Sequence, residues 1–318
     1  MGALSKAEVQ LAAKPIFIAG PTAVGKTEVA LALAERVGGE IISVDSMQVY
    51  RGLNIGTAKP TAEERQRVPQ HLIDVADLRE SFDAGRFVEM AKVAVAEIEA
   101  RGRVPIFCGG TGMYFRAFLE GLGSVPASDP AVRAALEATP MAELLEELGR
   151  LDPASFERID RQNPRRVWRA LEVIRLTGRP FSEQRARWAD ESEGAAAQDV
   201  PVGVGLCRSG EDLRRRIDQR VDVMFQRGLV EETQRLLSQG LAENRVAMQA
   251  LGYRQVVEYL QGERSLPETI EMVKSRTRKF AKRQMTWFRG QFRLAWLTLD
   301  EGRPADVDAV IRALDRRF

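Results

Sequence analysis

Eight residues constrain this chain more than any others: Gly20-Pro21-Thr22-Ala23-Val24-Gly25-Lys26-Thr27 fits the phosphate-loop pattern G-x-x-x-x-G-K-[ST]. Such a loop works only where a buried strand ends and a helix begins, because its backbone N–H groups must converge on an anion at the helix N-terminus. Both flanks are legible. Ile16-Phe17-Ile18-Ala19 reads as a buried parallel strand, and Val29, Leu33 and Val37 recur every four residues on one helix face. The chain is therefore expected to bind a polyphosphate. Lys26 would reach its terminal phosphates, and Thr27 stands where such loops place their Mg²⁺ ligand.

Further apolar runs at 41–44, 104–108, 202–207 and 294–299 read as strands, with helical patterns between the first three of the series. That alternation predicts an α/β fold: a P-loop core whose parallel sheet is flanked by helices. The pattern changes near Gly123, where Pro126, Asp129 and Pro130 mark a boundary, and it stays helical until Pro201. We expect a discontinuous core, 1–123 and 200–318, interrupted by a helical insertion at 124–199. Within the insertion, Asn163-Pro164 reads as a helix start. Val167, Ala170, Leu171 and Ile174 then share one face, and Arg165, Arg166 and Arg169 another. Asp190 to Gln198 reads as a loop. Later helices carry Leu213, Ile217, Val221 and Met224 as one apolar stripe, and Ile270, Val273, Thr277, Ala281, Gln284 and Phe288 as another.

Composition narrows the function classes. Of 318 residues, 44% are hydrophobic and 29% charged, as in an ordinary globular protein. No apolar run approaches the roughly 20 residues of a membrane span. Met1 to Lys14 lacks the apolar core of a signal peptide, so a cytoplasmic protein is expected. Cys108 and Cys207 are too few for a disulfide framework or a zinc site, and they read as small hydrophobes on strands. His71 is the only histidine, which excludes a metal site built on several imidazoles. The net charge is only +2, yet eight Lys or Arg and no Asp or Glu lie between Lys274 and Arg293. Basic residues also dominate 161–187 and 208–220. Local basic excess in a near-neutral chain suits a polyanion.

Two more strand ends join the loop. Asp45 follows Ile41-Ile42-Ser43-Val44, so it sits at the carboxyl edge that lines the ligand crevice in open α/β sheets. It would hold Mg²⁺ through water, accept a proton from a nucleophile, or cap a turn. Gly109-Gly110-Thr111-Gly112 follows the strand at 104–108 and brings Thr111 to the same edge, either for a ligand or simply as a tight turn. Lys282-Arg283-Gln284-Met285-Thr286-Trp287-Phe288-Arg289 interleaves basic and aromatic residues. It would grip phosphates and bases, or else Trp287 and Phe288 are core.

Taken together the motifs resemble those of the tRNA dimethylallyltransferases, also called tRNA isopentenyltransferases. Matching runs are the phosphate loop, Asp45-Ser46-Met47-Gln48-Val49-Tyr50, Gly56-Thr57-Ala58-Lys59-Pro60, Gly109-Gly110-Thr111-Gly112, Arg169-Ala170-Leu171-Glu172-Val173, Leu251-Gly252-Tyr253-Arg254 and Ala281-Lys282-Arg283-Gln284-Met285-Thr286-Trp287. They span about residues 16 to 290 in the family's order. The resemblance implies transfer of a dimethylallyl group from dimethylallyl diphosphate to N6 of the adenosine 3′ of a tRNA anticodon, with release of diphosphate. It implies Asp45 as base, Thr22 as a positioning group, and Lys26 with Arg216 or Arg220 on the diphosphate. It implies tRNA contacts at Asp45, Ser46, Met47, Gln48, Thr111 and Arg133. The same implication covers Arg165, Arg166, Val167, Trp168 and Arg169, then Gln249, Ala250, Leu251, Gly252, Tyr253 and Arg254, and finally Lys282 and Arg283. The helical insertion would hold the anticodon stem-loop, and a monomer is expected.

Two departures stand out. Gln162-Asn163-Pro164 replaces the family's common Asn-Asp-Pro, and Gln70-His71 replaces a frequent His-His pair. Other readings are transfer to free adenine nucleotides, a P-loop nucleotide kinase or NTPase, and a non-catalytic RNA-binding module.

Overall fold

The computed structural model describes residues 15–123, 125–184, 203–301 and 306–315. The N-terminal stretch to Lys14 and the loop expected at Asp190 to Gln198 lie outside them. Six strands form one sheet: β1 (Ile16–Ala19), β2 (Gly39–Val44), β3 (Gln70–His71), β4 (Val104–Gly109), β5 (Gly203–Cys207) and β6 (Ala295–Thr298). Their order is β3-β2-β4-β1-β5-β6, and every pairing is parallel. The α/β fold with helices on both sheet faces is the one the alternation predicts. Only β3 went unread, because two residues carry no periodicity.

Side-chain alternation along β1 explains how both faces are covered. Ile16 and Ile18 point to one side, where Val29 and Leu33 of the helix Lys26–Val37 and Val310 and Leu314 of the helix Val307–Asp315 close over them. Phe17 points to the other. It stacks on Phe107 at 4.8 Å, and Phe115 bridges edge-on from Phe17 to Phe288 of the long helix Leu266–Gln291. The long helix's buried stripe is Thr269, Val273, Thr277, Ala281, Gln284 and Phe288. Thr269 replaces the expected Ile270, which is only half-buried, since a spacing of four runs back from Val273 to Thr269.

The chain divides into two compact units, Met1–Phe115 with Ala197–Phe318, and Arg116–Ala196. The first holds the sheet. The second is helical, with a core of Leu136, Leu144, Leu148, Val167, Ala170, Leu171 and Ile174. Its helix Pro164–Thr177 begins at Asn163, but the Asn163 side chain makes no capping hydrogen bond, so Pro at the first turn is the stronger start signal. Among the described residues no helix is long and apolar enough to cross a membrane.

Candidate active site

The phosphate loop leaves β1 with two glycines that nothing else could replace. At Gly20 (φ +153°) a Cβ would lie 2.7 Å from the Leu206 carbonyl oxygen, and Gly25 sits at φ +109° just before the helix. Between them Ala23 adopts φ +64°, an uncommon left-handed conformation for a residue with a side chain. The turn aims loop carbonyls at three cations. Lys26 Nζ donates to Gly20 O at 3.0 Å and Pro21 O at 2.7 Å. Arg216 Nε donates to Ala23 O at 2.9 Å, and Arg208 Nε to Val24 O at 2.8 Å. Burial, opposed by Cys108 and Asp45 and helped by Arg220, lowers the Lys26 ammonium to about 8. Burial and the neighbouring Arg216 likewise lower Arg220, whose field is shared with Asp45. Arg216 and Arg220 therefore stand together beside the loop, with Arg216 the one bonded to it.

The phosphate loop at Thr22 and the glycine turn that carries Thr111 are joined through Gln284, a member of the run at 281–287. The Thr22 N–H donates to Gln284 Oε1 at 2.8 Å, and Gln284 Nε2 donates to Gly110 O at 2.9 Å. A Gln on the buried stripe of a helix is a signal in itself, because buried amides must find partners. The glycine turn at the end of β4 leaves no room for side chains. A Cβ at Gly109 would lie 2.1 Å from Val44 O, and one at Gly112 would meet the Trp287 ring at 2.0 Å. Phe288 is fully buried and Trp287 half-buried. Lys282 and Arg283 stay exposed and, with Lys279, Thr286 and Trp287, line an open depression of about 480 Å³.

Asp45 ends β2 beside the glycine loop. Its Oδ1 accepts from the Met47 N–H at 2.8 Å and the Gln48 N–H at 3.2 Å, so it does hold a turn. Among the described residues Oδ2 accepts no hydrogen bond, which leaves that oxygen for a ligand. Ser46 N–H donates to Thr111 Oγ1 at 3.1 Å. Gln48 is fixed on both ends of its amide. Oε1 accepts from Ser43 Oγ at 2.9 Å, and Nε2 donates to the Thr57 and Ala58 carbonyls. The sheet order puts β4 between β1 and β2, so the phosphate loop, Thr111 and Asp45 emerge from three neighbouring strand ends.

Other expected contact residues fall into two groups. Gln249, Arg254, Arg165, Arg166, Lys282 and Arg283 are exposed. Val167, Ala250 and Tyr253 are at most 4% exposed, which corrects their expected place at a tRNA surface: they are core, and they shape the segments that carry their neighbours. Gly252 is buried too, at φ +95°, and Leu251 is half-buried. Arg254 pairs with Glu258 at 3.1 Å. In the helical unit Arg133 and Arg169 both meet the fully buried Glu172, at 2.5 and 2.7 Å, and Arg169 also donates to Pro126 O. Trp168 is half-buried, with its indole N–H unpartnered among the described residues. His71 pairs with buried Glu40 at 2.7 Å, which gives the lone imidazole a structural partner.

The IPP transferase family model matches residues 48–291. A tRNA dimethylallyltransferase of Geobacter metallireducens is 46% identical over 93% of this chain and 94% of its own, and one of Anoxybacillus flavithermus 42% over 96% and 97%. The crystal structure of a full-length tRNA isopentenylpyrophosphate transferase from Bacillus halodurans superposes with a TM-score of 0.68 at 38% identity, covering 96% of this chain and 98% of that one. A eukaryotic dimethylallyltransferase, solved acting on tRNA, gives 0.72 at 29%, covering 96% and 77%. With a phosphate loop, an aspartate and a glycine turn on neighbouring strand ends, and with relatives matched along nearly its whole length, the chain belongs to the IPP transferase family, the tRNA dimethylallyltransferases.

Proposed function

We propose that the protein transfers a dimethylallyl group from dimethylallyl diphosphate to N6 of the adenosine 3′ of the anticodon in tRNA, releasing diphosphate. The observation that carries this reading is Asp45. Its carboxylate is held by two backbone amides with one oxygen open, on the sheet edge that also carries the phosphate loop. An exocyclic adenine amine is a weak nucleophile, so a base at that position has work to do as the C–N bond forms. Lys26, Arg216, Arg220 and the loop amides would hold the departing diphosphate, where fixed positive charge favours cleavage of the allylic C–O bond. Thr22 would orient the same group. Ser46, Gln48 and Thr111 would position the base, which must leave the anticodon stack to enter.

The donors at the loop suit Mg²⁺. The hydroxyl of Thr27 and the carboxylate of Asp45 are hard oxygen ligands, and among the described residues no cluster of three His, Cys, Asp or Glu offers an all-protein cage. Thr27 would hold the ion together with water and substrate oxygens, and the ion would add charge stabilisation on the diphosphate. The exposed cations Arg165, Arg166, Lys282 and Arg283 would meet RNA phosphates, with the helical unit on the anticodon stem-loop. A monomer working in the cytoplasm is the setting we propose.

The test is mass spectrometry of nucleosides from unmodified tRNA that reads codons beginning with U, incubated with protein, Mg²⁺ and dimethylallyl diphosphate. One prenylated adenosine per tRNA is expected. Prenylation of free AMP with tRNA untouched would overturn the acceptor. ATP turnover without any transfer would overturn the reaction.

A further inference from the structure

We propose that Glu232, remote in sequence from every motif, is a positioning residue for Asp45 and Gln48. This rests on the reaction proposed above. Glu232 lies in the helix Leu229–Ser238 and is 3% exposed. A buried carboxylate needs donors, and here the donors belong to one loop and its clamp. Oε1 accepts from the Ile55 N–H at 2.9 Å, the Asn54 N–H at 3.2 Å and the Tyr253 hydroxyl at 2.6 Å. The Tyr253 hydroxyl in turn accepts from the Gly56 N–H at 3.1 Å. The ring packs so closely on Gly56 that a Cβ there would lie 2.4 Å from it. Three consecutive amides are thus held by one carboxylate and one phenol.

The next two residues of the loop carry the connection onward. The Thr57 and Ala58 carbonyls accept from Gln48 Nε2, while Ser43 Oγ holds Gln48 Oε1. Ala58 adopts φ +48°, a conformation that a side-chain-bearing residue keeps only when its surroundings enforce it. Gln48 then donates its own N–H to Asp45 Oδ1. The route from Glu232 to Asp45 alternates hydrogen bonds with short covalent stretches: the backbone from Asn54 to Ala58, then the Gln48 side chain. It sets the orientation of the Gln48 amide and the turn that fixes the carboxylate. The phosphate loop is held separately, by Arg208, Arg216 and Gln284. Loss of Glu232 should therefore damage proton transfer and base placement while leaving diphosphate binding intact.

A double-mutant cycle between Glu232→Ala and Gln48→Ala tests this. Glu232→Ala should lower kcat about 10- to 100-fold, the scale of a small misplacement of reacting groups, with KM for dimethylallyl diphosphate within about threefold. In the Gln48→Ala background the same change should lower kcat less than about twofold. Glu232→Gln, which keeps an acceptor oxygen, should restore most of the rate and guard against a variant that simply fails to fold. Additive losses, or a diphosphate KM that rises in step with the fall in kcat, would overturn the proposal. Amide hydrogen exchange separates it from the reaction itself. Glu232→Ala should speed exchange at Met47 and Gln48 as well as at Asn54 to Gly56, and Glu232→Gln should leave most of that protection in place. If the wild-type protein transfers nothing to tRNA, the reaction reading falls and exchange alone decides. Unchanged protection at Met47 and Gln48 in Glu232→Ala then removes the positioning role.

Discussion

The cations of the sheet-bearing unit and those of the helical unit look alike in sequence and differ in what they touch. Lys26 and Arg216 rest on neutral backbone carbonyls of the phosphate loop. Arg133 and Arg169 rest on Glu172, a carboxylate with no exposed surface. A cation on a carbonyl keeps its net charge and can be drawn to an anion. Two cations that share one buried carboxylate are tied to it and partly compensated by it, and removing the carboxylate strands both. The first set is suited to a ligand. In the second set, Arg133 and Arg169 hold their unit together, and exposed neighbours such as Arg166 remain for a polyanion.

The largest effect expected is on chemistry. Asp45→Ala should reduce turnover about 100- to 10,000-fold in a single-turnover transfer assay, with tRNA affinity within about tenfold. Near-normal turnover would remove the base from the sheet edge and weaken the contrast. Next, Lys26 should show its freedom through pH. Its ligand-free ammonium deprotonates near 8, so the charge available to a diphosphate is full below that pH and is lost as pH rises through it. Calorimetric affinity for inorganic diphosphate should fall above about pH 8. Lys26→Met should bind weakly at every pH and lose that step.

Glu172→Leu should act on folding instead. Stranding two partly exposed arginines should destabilise the helical unit by about 1–3 kcal/mol, read as a lowered thermal midpoint, with diphosphate affinity unchanged. A variant as stable as the parent would show that the pairing carries no structural weight. The smallest effect expected is Arg166→Ala. It should leave stability alone and reduce the salt slope of tRNA binding by about one unit, the signature of one lost phosphate contact. Arg169→Ala measured beside it should lower the midpoint. If both flatten the slope equally, the two arginines do not divide as their partners suggest.

Much of the site was legible because its parts sit at strand ends, where apolar runs stop and short motifs begin. Gly20 to Thr27, Asp45 and Thr111 were found that way. What escaped were single polar residues inside apolar stripes. Gln284 was read as one more member of a buried helix face, and Glu172 appeared only within a motif string. Both are buried groups whose partners are distant in sequence, such as Thr22 for Gln284 and Ser128 for Glu172. Periodicity assigns a side to a residue but says nothing of its partner there. Tyr253 failed in the opposite sense. Its place in a family motif suggested the surface, yet it is fully buried against Gly56. Asn163-Pro164 reads as a helix start and the helix does begin there, with Pro164 at its first turn and no hydrogen bond from the Asn163 side chain.

Gln284 has one more consequence. The phosphate loop presents it with a donor, Thr22 N–H, and the glycine turn with an acceptor, Gly110 O. A primary amide is the one common side-chain group of that size that answers both with opposite ends. The contact is therefore polarised, like a plug that fits one way round. Glutamate has nearly the same shape, but it would set one oxygen against another at Gly110. The two loops would then separate for want of a single N–H, with no change in volume or packing.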